Sequence, residues 1–381
     1  MTGKPKVILL IESSRASGRE FLQGITKYAR FKGPWVFCRE FGGVKKTLAQ
    51  LKNIGADGII ARDDKNINEI LAIDVPAVID VATKKKEDMA FLVTNSIKIG
   101  QMAAEHLLEC GIKNFGYCGF DDRQWSCERA VGFCQRLKKE GFKVNVYKCP
   151  KSKVLRHWDK EQKIISDWLI SLPKPIGIMG CNDDRCQRIT EACKAAQLYV
   201  PEDVAVIGVD NDELLCNLID PPLSSISLDF EKAGYDAAEL LDKLMSGKKI
   251  KNKTITIKPL SITPRQSTDI IALKDQDVVR AVRFIRHNSK WAISVDEVAD
   301  AALMSRRVLE RRFRKYLNRS VYDEIRRTRV EQAARMLLET GLTVTKIADA
   351  LGYKDVKALD RLFEREKAMS PLAYRDIHKQ K

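Results

Sequence analysis

Two rhythms of apolar and polar positions divide this chain. Up to about residue 265, short wholly apolar runs recur at Lys6 to Ile11, Gly58 to Ala61, Ala77 to Val81, Asn114 to Cys118, Ile176 to Met179 and Val204 to Val209. Runs of this length without alternation predict strands buried on both faces. Stretches with helical periodicity separate them, among them Ser17 to Lys32, Ile97 to Cys110, Ser126 to Glu140, Lys160 to Leu172 and Asp184 to Gln197. Strands alternating with helices predict a doubly wound α/β architecture.

Beyond residue 277 the rhythm is helical throughout, and it repeats. Ser294-Val-Asp-Glu297 is a capping box that opens a short helix with Val295, Val298, Ala299 and Ala302 inward. Ser305 then stands where it would cap a second helix, Arg306 to Leu317, whose Leu309, Phe313 and Leu317 form one buried stripe and leave Arg306, Arg307, Glu310, Arg311 and Arg314 outward. The grammar returns with Val344, Ile347, Ala348 and Leu351, a turn at Gly352, and a helix after Asp355 with Leu359, Leu362 and Phe363 inward and Val356, Lys357, Asp360 and Arg361 outward. Val321 to Glu339 reads as one long connecting helix ended near Gly341.

A single helix-turn-helix is common in helical proteins, but two in tandem on a rigid spacer would present two Arg-bearing helices to consecutive major-groove segments, roughly 34 Å apart. Guanidinium groups suit that task because they pair bidentately with guanine or neutralise phosphate. Charge agrees: after residue 270 there are 25 Lys and Arg against 16 Asp and Glu, so net positive charge is about three times denser there than before it.

Met304-Ser-Arg-Arg-Val-Leu-Glu-Arg-Arg-Phe313, Ile347-Ala-Asp-Ala-Leu-Gly-Tyr353 and Met369-Ser-Pro-Leu-Ala-Tyr-Arg375 resemble the AraC/XylS family of bacterial regulators. The resemblance implies double-stranded DNA as partner and base reading by Arg307, Glu310 and Arg311 in the first helix and by Val356, Lys357, Asp360 and Arg361 in the second. Two departures stand out. Leu303 occupies the first turn where the family has Gly, so a turn of different backbone geometry is expected. Asp360 and Glu364 are expected to weaken the second helix on phosphates, leaving more of the specificity to the first.

The first part carries no phosphate loop and no GxGxxG after its first strand. In open α/β sheets ligands sit beyond the carboxyl ends of strands. Those ends hold Arg15 and Arg19, Arg62 with Asp63, Thr94 with Asn95, Asn182 with Asp183, and Asp210 with Asn211. Carboxylates, amides and guanidiniums satisfy sugar hydroxyls, which donate and accept at once. The plainer reading of any one such Asp or Asn is a helix cap, favoured for Asp184.

Gly100 to Gly111, Arg129-Ala-Val-Gly-Phe133, Cys181-Asn-Asp183, Val206-Ile-Gly-Val-Asp-Asn211 and Pro221 to Ile226 resemble the LacI-type sensor domain. That resemblance implies a two-lobed, periplasmic-binding-protein-like α/β fold over 1–265, crossed near Asn114, Ser227 and Ile250, then a linker over 266–276 and an all-α DNA-binding domain with two helix-turn-helix motifs over 277–381. Arg129 and Asp210 become the leading sugar contacts, Asn182 and Asn95 the next. The pairing of the two domain types is similar to bacterial xylose-operon activators. It implies xylose or a related pentose as effector, a homodimer, RNA polymerase as a further partner, and the helix Asp277 to His287 as transmitter. The loop 119–124 and Asn95, in place of an expected Asp, depart from that pattern at the pocket.

An enzyme finds little support, since His106, His157, His287 and His378 lie outside the expected pocket and no nucleophile motif is present. All ten cysteines fall between Cys38 and Cys216 without metal-ligand spacing, so no metal or cofactor is expected. No run approaches membrane-spanning length, and the short apolar Val7 to Ile11 is too brief for a signal peptide. The expectation is a soluble cytoplasmic regulator.

Overall fold

The computed structural model describes residues 4–39, 55–62, 70, 72–80, 90–150, 158–248, 250, 253–270 and 275–379. They belong to two compact units, Met1–Ile270 and Ile271–Lys381.

Among the described residues the first unit has two six-stranded sheets. In chain order the strands are β1 (Lys6–Leu10), β2 (Val36–Arg39), β3 (Gly58–Ala61), β4 (Ala77–Asp80), β5 (Ala90–Thr94), β6 (Phe115–Cys118), β7 (Val144–Val146), β8 (Ile176–Gly180), β9 (Val204–Val209), β10 (Ser224–Leu228), β11 (Thr254–Ile257) and β12 (Pro259–Thr263). The first lobe orders them β11-β5-β4-β3-β1-β2 and the second β12-β10-β9-β8-β6-β7. Every pairing is parallel except β10 with β12.

The apolar runs are unbroken because both faces of the first sheet are covered. Val7 and Leu9 join the cluster with Phe21, Ile25, Ile60 and Val78, while Ile8 and Leu10 join Ile59, Ala61 and Ile79 on the other side. Each such side chain contributes about 1.5–3 kcal/mol when fully buried.

The helices of this unit are α1 (Ala16–Lys32), α2 (Ser96–Glu109), α3 (Gln124–Lys139), α4 (Trp158–Ser171), α5 (Asp183–Ala195), α6 (Glu213–Leu218) and α7 (Phe230–Met245). Two pairs approach unusually closely, and each crossing is lined by a glycine from either partner. A Cβ on Gly24 of α1 would stand 1.9 Å from the Glu231 carbonyl oxygen of α7, and one on Gly234 of α7 would stand 2.0 Å from that of Phe21. Gly100 of α2 and Gly132 of α3 repeat the arrangement against the carbonyls of Arg129 and Ile97, each at 2.1 Å.

The crossovers need correction. The chain leaves the first sheet after β5, and α2 already packs on α3 of the second lobe, so the first crossover lies at Asn95 and not near Asn114. It returns at Asp229, between β10 and α7, close to the expected Ser227. It crosses a third time at Lys258, between β11 and β12, later than the expected Ile250. Residues 266–268, expected as linker, form a 3-10 turn in which Ser267 and Thr268 are buried.

The second unit is helical: α8 (Gln276–His287), α9 (Val295–Ala301), α10 (Arg306–Leu317), α11 (Val321–Glu339), α12 (Val344–Ala350), α13 (Val356–Lys367) and α14 (Pro371–Lys379). It has two cores. Val278, Ala281, Val282 and Ile285 of α8 close the first together with Val298, Leu309 and Phe313, so this helix is a structural part of the first copy. Ile347, Leu351, Leu359 and Phe363 make the second. Helix α11 serves both, giving Val321 and Ile325 to one and Val330, Ala333 and Leu337 to the other.

Candidate effector cleft and nucleic-acid interface

Where β1 ends, the loop Glu12 to Arg15 turns into α1 so tightly that a Cβ on Gly18 would meet the Glu12 carbonyl oxygen at 1.7 Å. Arg15 stands at the N-cap of α1 but makes no capping bond. The cap comes from the other lobe: the Ala16 amide donates to Asp212 Oδ2 at 2.8 Å. Arg15 pairs with Asp184 at 3.2 Å and Arg19 with Asp212 at 3.7 Å. Asp184, expected as a cap, is instead half of this interlobe pair.

Deeper in, Arg129 of α3 is buried and stacks on Trp125 with 4.9 Å between guanidinium carbon and ring centre. It donates through Nη1 to the Cys181 carbonyl and faces Asp210 at 3.8 Å through Nη2. Its Nε is buried without a hydrogen-bond partner among the described residues, an uncommon situation for a charged donor. From the first lobe, Arg62 lies over Phe230 at 4.8 Å and Phe21 at 5.7 Å.

Burial pushes the Asp210 carboxyl above its usual range, and the positive Arg129 and Arg62 pull against that rise. Burial likewise raises Glu20 on α1, with the negative Glu231 and Asp210 adding to it. The cleft thus joins cations and carboxylates contributed by both lobes.

Asp210 has φ 102° and Asn211 φ 48°. Two successive residues with side chains in this region cost about 1–3 kcal/mol each, and such strain collects at functional sites.

The other expected contacts are largely taken up within the protein. Asn182 caps α5, accepting from the Arg185 amide at 3.0 Å, while its side-chain nitrogen donates to Asp184 at 3.2 Å. Asp183 is buried and accepts from the Ser225 hydroxyl at 2.6 Å and the Asp212 amide at 2.9 Å; burial, then the charge of Asp210, raises its pKa to about 8. Asn211 receives Arg265 Nη1 on Oδ1 at 2.9 Å. Asn95 is exposed and caps α2 through the Lys98 amide at 3.2 Å. Asp63 lies outside the described residues.

Sequence reasoning missed Trp125, Asp212 and Phe230. Asp212 was within reach, two positions beyond Asp210 in one strand-end run. Trp125 could have been found at the i, i+4 spacing from Arg129.

In the second unit the two copies match closely. Counting from Ser305 and from Asp355, sixteen successive positions share the same degree of burial except at Arg306 and Val356. The side chains of Arg307, Arg311 and Arg314 are exposed and make no hydrogen bond or ion pair among the described residues. Arg306 pairs with Asp296 at 3.3 Å, both well exposed.

Four expectations are altered here. The Ser305 side chain makes no capping bond. Glu310 is partly covered and accepts from the Val321 amide at 3.4 Å, at the start of α11. Val356 packs partly against the second core. Leu303, for which a different turn geometry was expected, takes φ 57°, much as Gly352 takes φ 65° in the second copy. Lys357 and Arg361 are exposed, with Arg361 Nε on the Lys357 carbonyl at 3.2 Å, and Asp360 is half-buried.

Residues 104–268 match the periplasmic binding protein-like domain family and residues 298–377 the helix-turn-helix domain family. Cleft and reading helices together define a transcription regulator that joins a periplasmic-binding-type sensor to an AraC-type DNA-binding domain. Over nearly its whole length the chain is similar to the xylose operon regulatory protein of Haemophilus influenzae, at 30% identity over 97% of this chain and 98% of that protein. The protein of the same name from Escherichia coli K12 is 29% identical over 99% of this chain and 98% of its own. A solved structure of the xylose-binding transcription activator xylR superposes with a TM-score of 0.85 at 28% identity, covering 99% of both chains. The chain belongs to the family of xylose operon regulatory proteins. Among the described residues no helix is long and apolar enough to cross a membrane.

Proposed function

We propose that this regulator answers D-xylose, or a closely related pentose, and activates the genes that consume it. The sugar is held between the lobes by Arg129, Asp210 and Arg62, with Arg15 and Arg19 at the rim. The observation that carries this reading is the pair Arg129 and Asp210: a buried guanidinium facing, at 3.8 Å, a carboxylate held above its usual range. Together they offer a donor and an acceptor to a hydroxyl. The names borne by the chain's full-length relatives support pentose as the ligand class.

Sugar bridging the lobes stabilises the arrangement in which Arg15–Asp184 and Arg19–Asp212 are made. Differential affinity for one arrangement is what allows a ligand to shift a DNA-binding equilibrium. The regulator acts as a homodimer that sets its reading helices on spaced half-sites beside RNA polymerase. Arg307 and Arg311 read bases in the first copy, and Lys357 and Arg361 serve the second.

Isothermal titration against D-xylose, L-arabinose and D-ribose tests the sugar. Heat is expected with D-xylose, and Arg129→Met abolishes it. Absence of heat with all three pentoses would refute the reading. Footprinting on the region upstream of the protein's own gene, with and without D-xylose, tests the coupling to DNA.

A further inference from the structure

The strained pair at the end of β9 is tied on one side to the cleft and on the other to the segment that leads out of the sensor. Asp210 faces Arg129, and its neighbour Asn211 is fixed twice, by its amide on Ser225 Oγ at 3.0 Å and by its Oδ1 under Arg265 Nη1 at 2.9 Å. The same Nη1 donates to the Leu223 carbonyl at 2.7 Å.

Arg265 follows the last strand of the first unit, and it, Ser267 and Thr268 are fastened to the sheet. Its amide donates to Ser224 Oγ at 2.7 Å. Ser267 Oγ receives the Ser224 amide at 2.8 Å and donates to the Val206 carbonyl at 2.6 Å. Thr268 Oγ1 meets Ser224 Oγ at 2.7 Å and His106 Nε2 at 2.8 Å. Ser267 and Thr268 are almost fully buried, so the exit segment cannot shift without breaking this ladder.

We propose that Arg265 is the positioning residue that couples the cleft to the DNA-binding activity, by clamping the Asp210–Asn211 elbow to the exit segment 265–268. The proposal rests on the sugar reading of the cleft. The elbow is strained, with two successive positive φ values, and Arg129, Ser225 and Arg265 hold it together with the Ile226 carbonyl. A ligand that engages Asp210 alters the balance on that elbow. Asn211 and Arg265 carry the change to Ser267 and Thr268, a contiguous bonded path rather than mere proximity. Arg265 itself does not touch the sugar.

The test uses the full chain and a duplex selected from random-sequence DNA by the wild-type protein. Two quantities are measured separately: the Kd for D-xylose by calorimetry, and the factor by which saturating D-xylose changes the duplex Kd, by fluorescence anisotropy. In the wild type that factor is about 5 to 150. Arg265→Gln is expected to keep the D-xylose Kd within about threefold while the factor falls to about one. Arg265→Lys, which retains one donor for Asn211, restores part of it. Asn211→Gly fits φ 48°, leaves the Arg265 bond to Leu223 intact, and is likewise expected to lose the factor. That variant carries the test should Arg265→Gln not fold. An undiminished factor in either variant overturns the clamp and leaves the sugar site standing. A wild type that gives no heat with D-xylose, L-arabinose or D-ribose overturns the sugar reading, and the clamp with it.

Discussion

The sensor cleft and the reading helices are built from the same kinds of polar side chain, and they deploy them in opposite ways. In the sensor, Asn182, Asp183 and Asn211 are bonded to their own protein, and even the cation Arg185 is wholly buried between Glu161, Phe120 and Tyr147. In the helix Arg306–Leu317, by contrast, Arg307, Arg311 and Arg314 face solvent and have no protein partner among the described residues. Polar groups of the first kind hold a shape, whereas those of the second are left open to solvent. Arg129, facing the cleft carboxylate Asp210, is buried like the first kind yet leaves its Nε unused, as Arg185 leaves its Nη1.

That division is exposed to direct attack. Glu161→Gln strips the carboxylate from a fully buried Arg185, which should lower stability by about 3–5 kcal/mol in denaturant unfolding. Duplex affinity of the folded protein should hardly move.

Next in size is the pH response of Asp183. Its folded pKa of about 8 lies above the usual carboxylate range, so between about pH 5 and pH 8 the folded protein keeps a proton that the unfolded chain has released. Stability from this group is complete below the unfolded pKa and is lost as pH rises through the folded one, a decline of roughly 4 kcal/mol over that interval. Asp183→Asn cannot titrate, and its unfolding midpoint should change less over the same interval. An equal slope would remove Asp183 from the set of buried groups that govern the fold.

Arg307→Ala and Arg311→Ala should each weaken a cognate duplex by about 1–3 kcal/mol if they read bases. Their unfolding midpoints should stay within about 0.5 kcal/mol of the wild type. Lys357→Ala should cost less, because Asp360 and Glu364 already lower the potential of that helix. A larger loss there than at Arg311 would reverse the ranking of the two copies.

The smallest effect is at the first turn. Leu303 is 82% exposed and sits at φ 57°, so Leu303→Gly relieves a left-handed leucine at no loss of packing and should stabilise by about 1 kcal/mol. The reverse change at Gly352 should destabilise by a similar amount.

The helical unit was the more legible in the sequence. A capping box, stripes at the helical period and a second copy all point the same way, and Val321–Glu339 runs over the residues its periodicity marks. In the sensor, legibility followed composition. Strands β1, β3, β4, β6, β8 and β9 are apolar on both faces and were readable, whereas β10 hides Ser224 and Ser225, buried because they bond Arg265 and Asp183. Strand β12 begins at a proline on a sheet edge, and β11 alternates threonine with isoleucine.

The first crossover was misplaced for a different reason. A helical period announces Ser96–Glu109 without saying which of two sheets it covers. The cleft residues were legible by type, but whether Asn182 or Arg129 is left for a ligand depends on which neighbour claims it, and that is settled only in three dimensions. The turn at Leu303 was misjudged because glycine was taken as required for a conformation that an exposed leucine also adopts.

The paired glycines of α1 with α7 and of α2 with α3 bear on how the sensor moves. With backbones this close, sliding or splaying either helix pair would open packed glycine contacts, so each lobe would move as a stiff leaf. Bending is then confined to the spine of the book, the peptide links at Asn95, Asp229 and Lys258. A methyl group added at Gly24, Gly100, Gly132 or Gly234 would pry a leaf apart from within and blunt the response to sugar without touching a single ligand-facing atom.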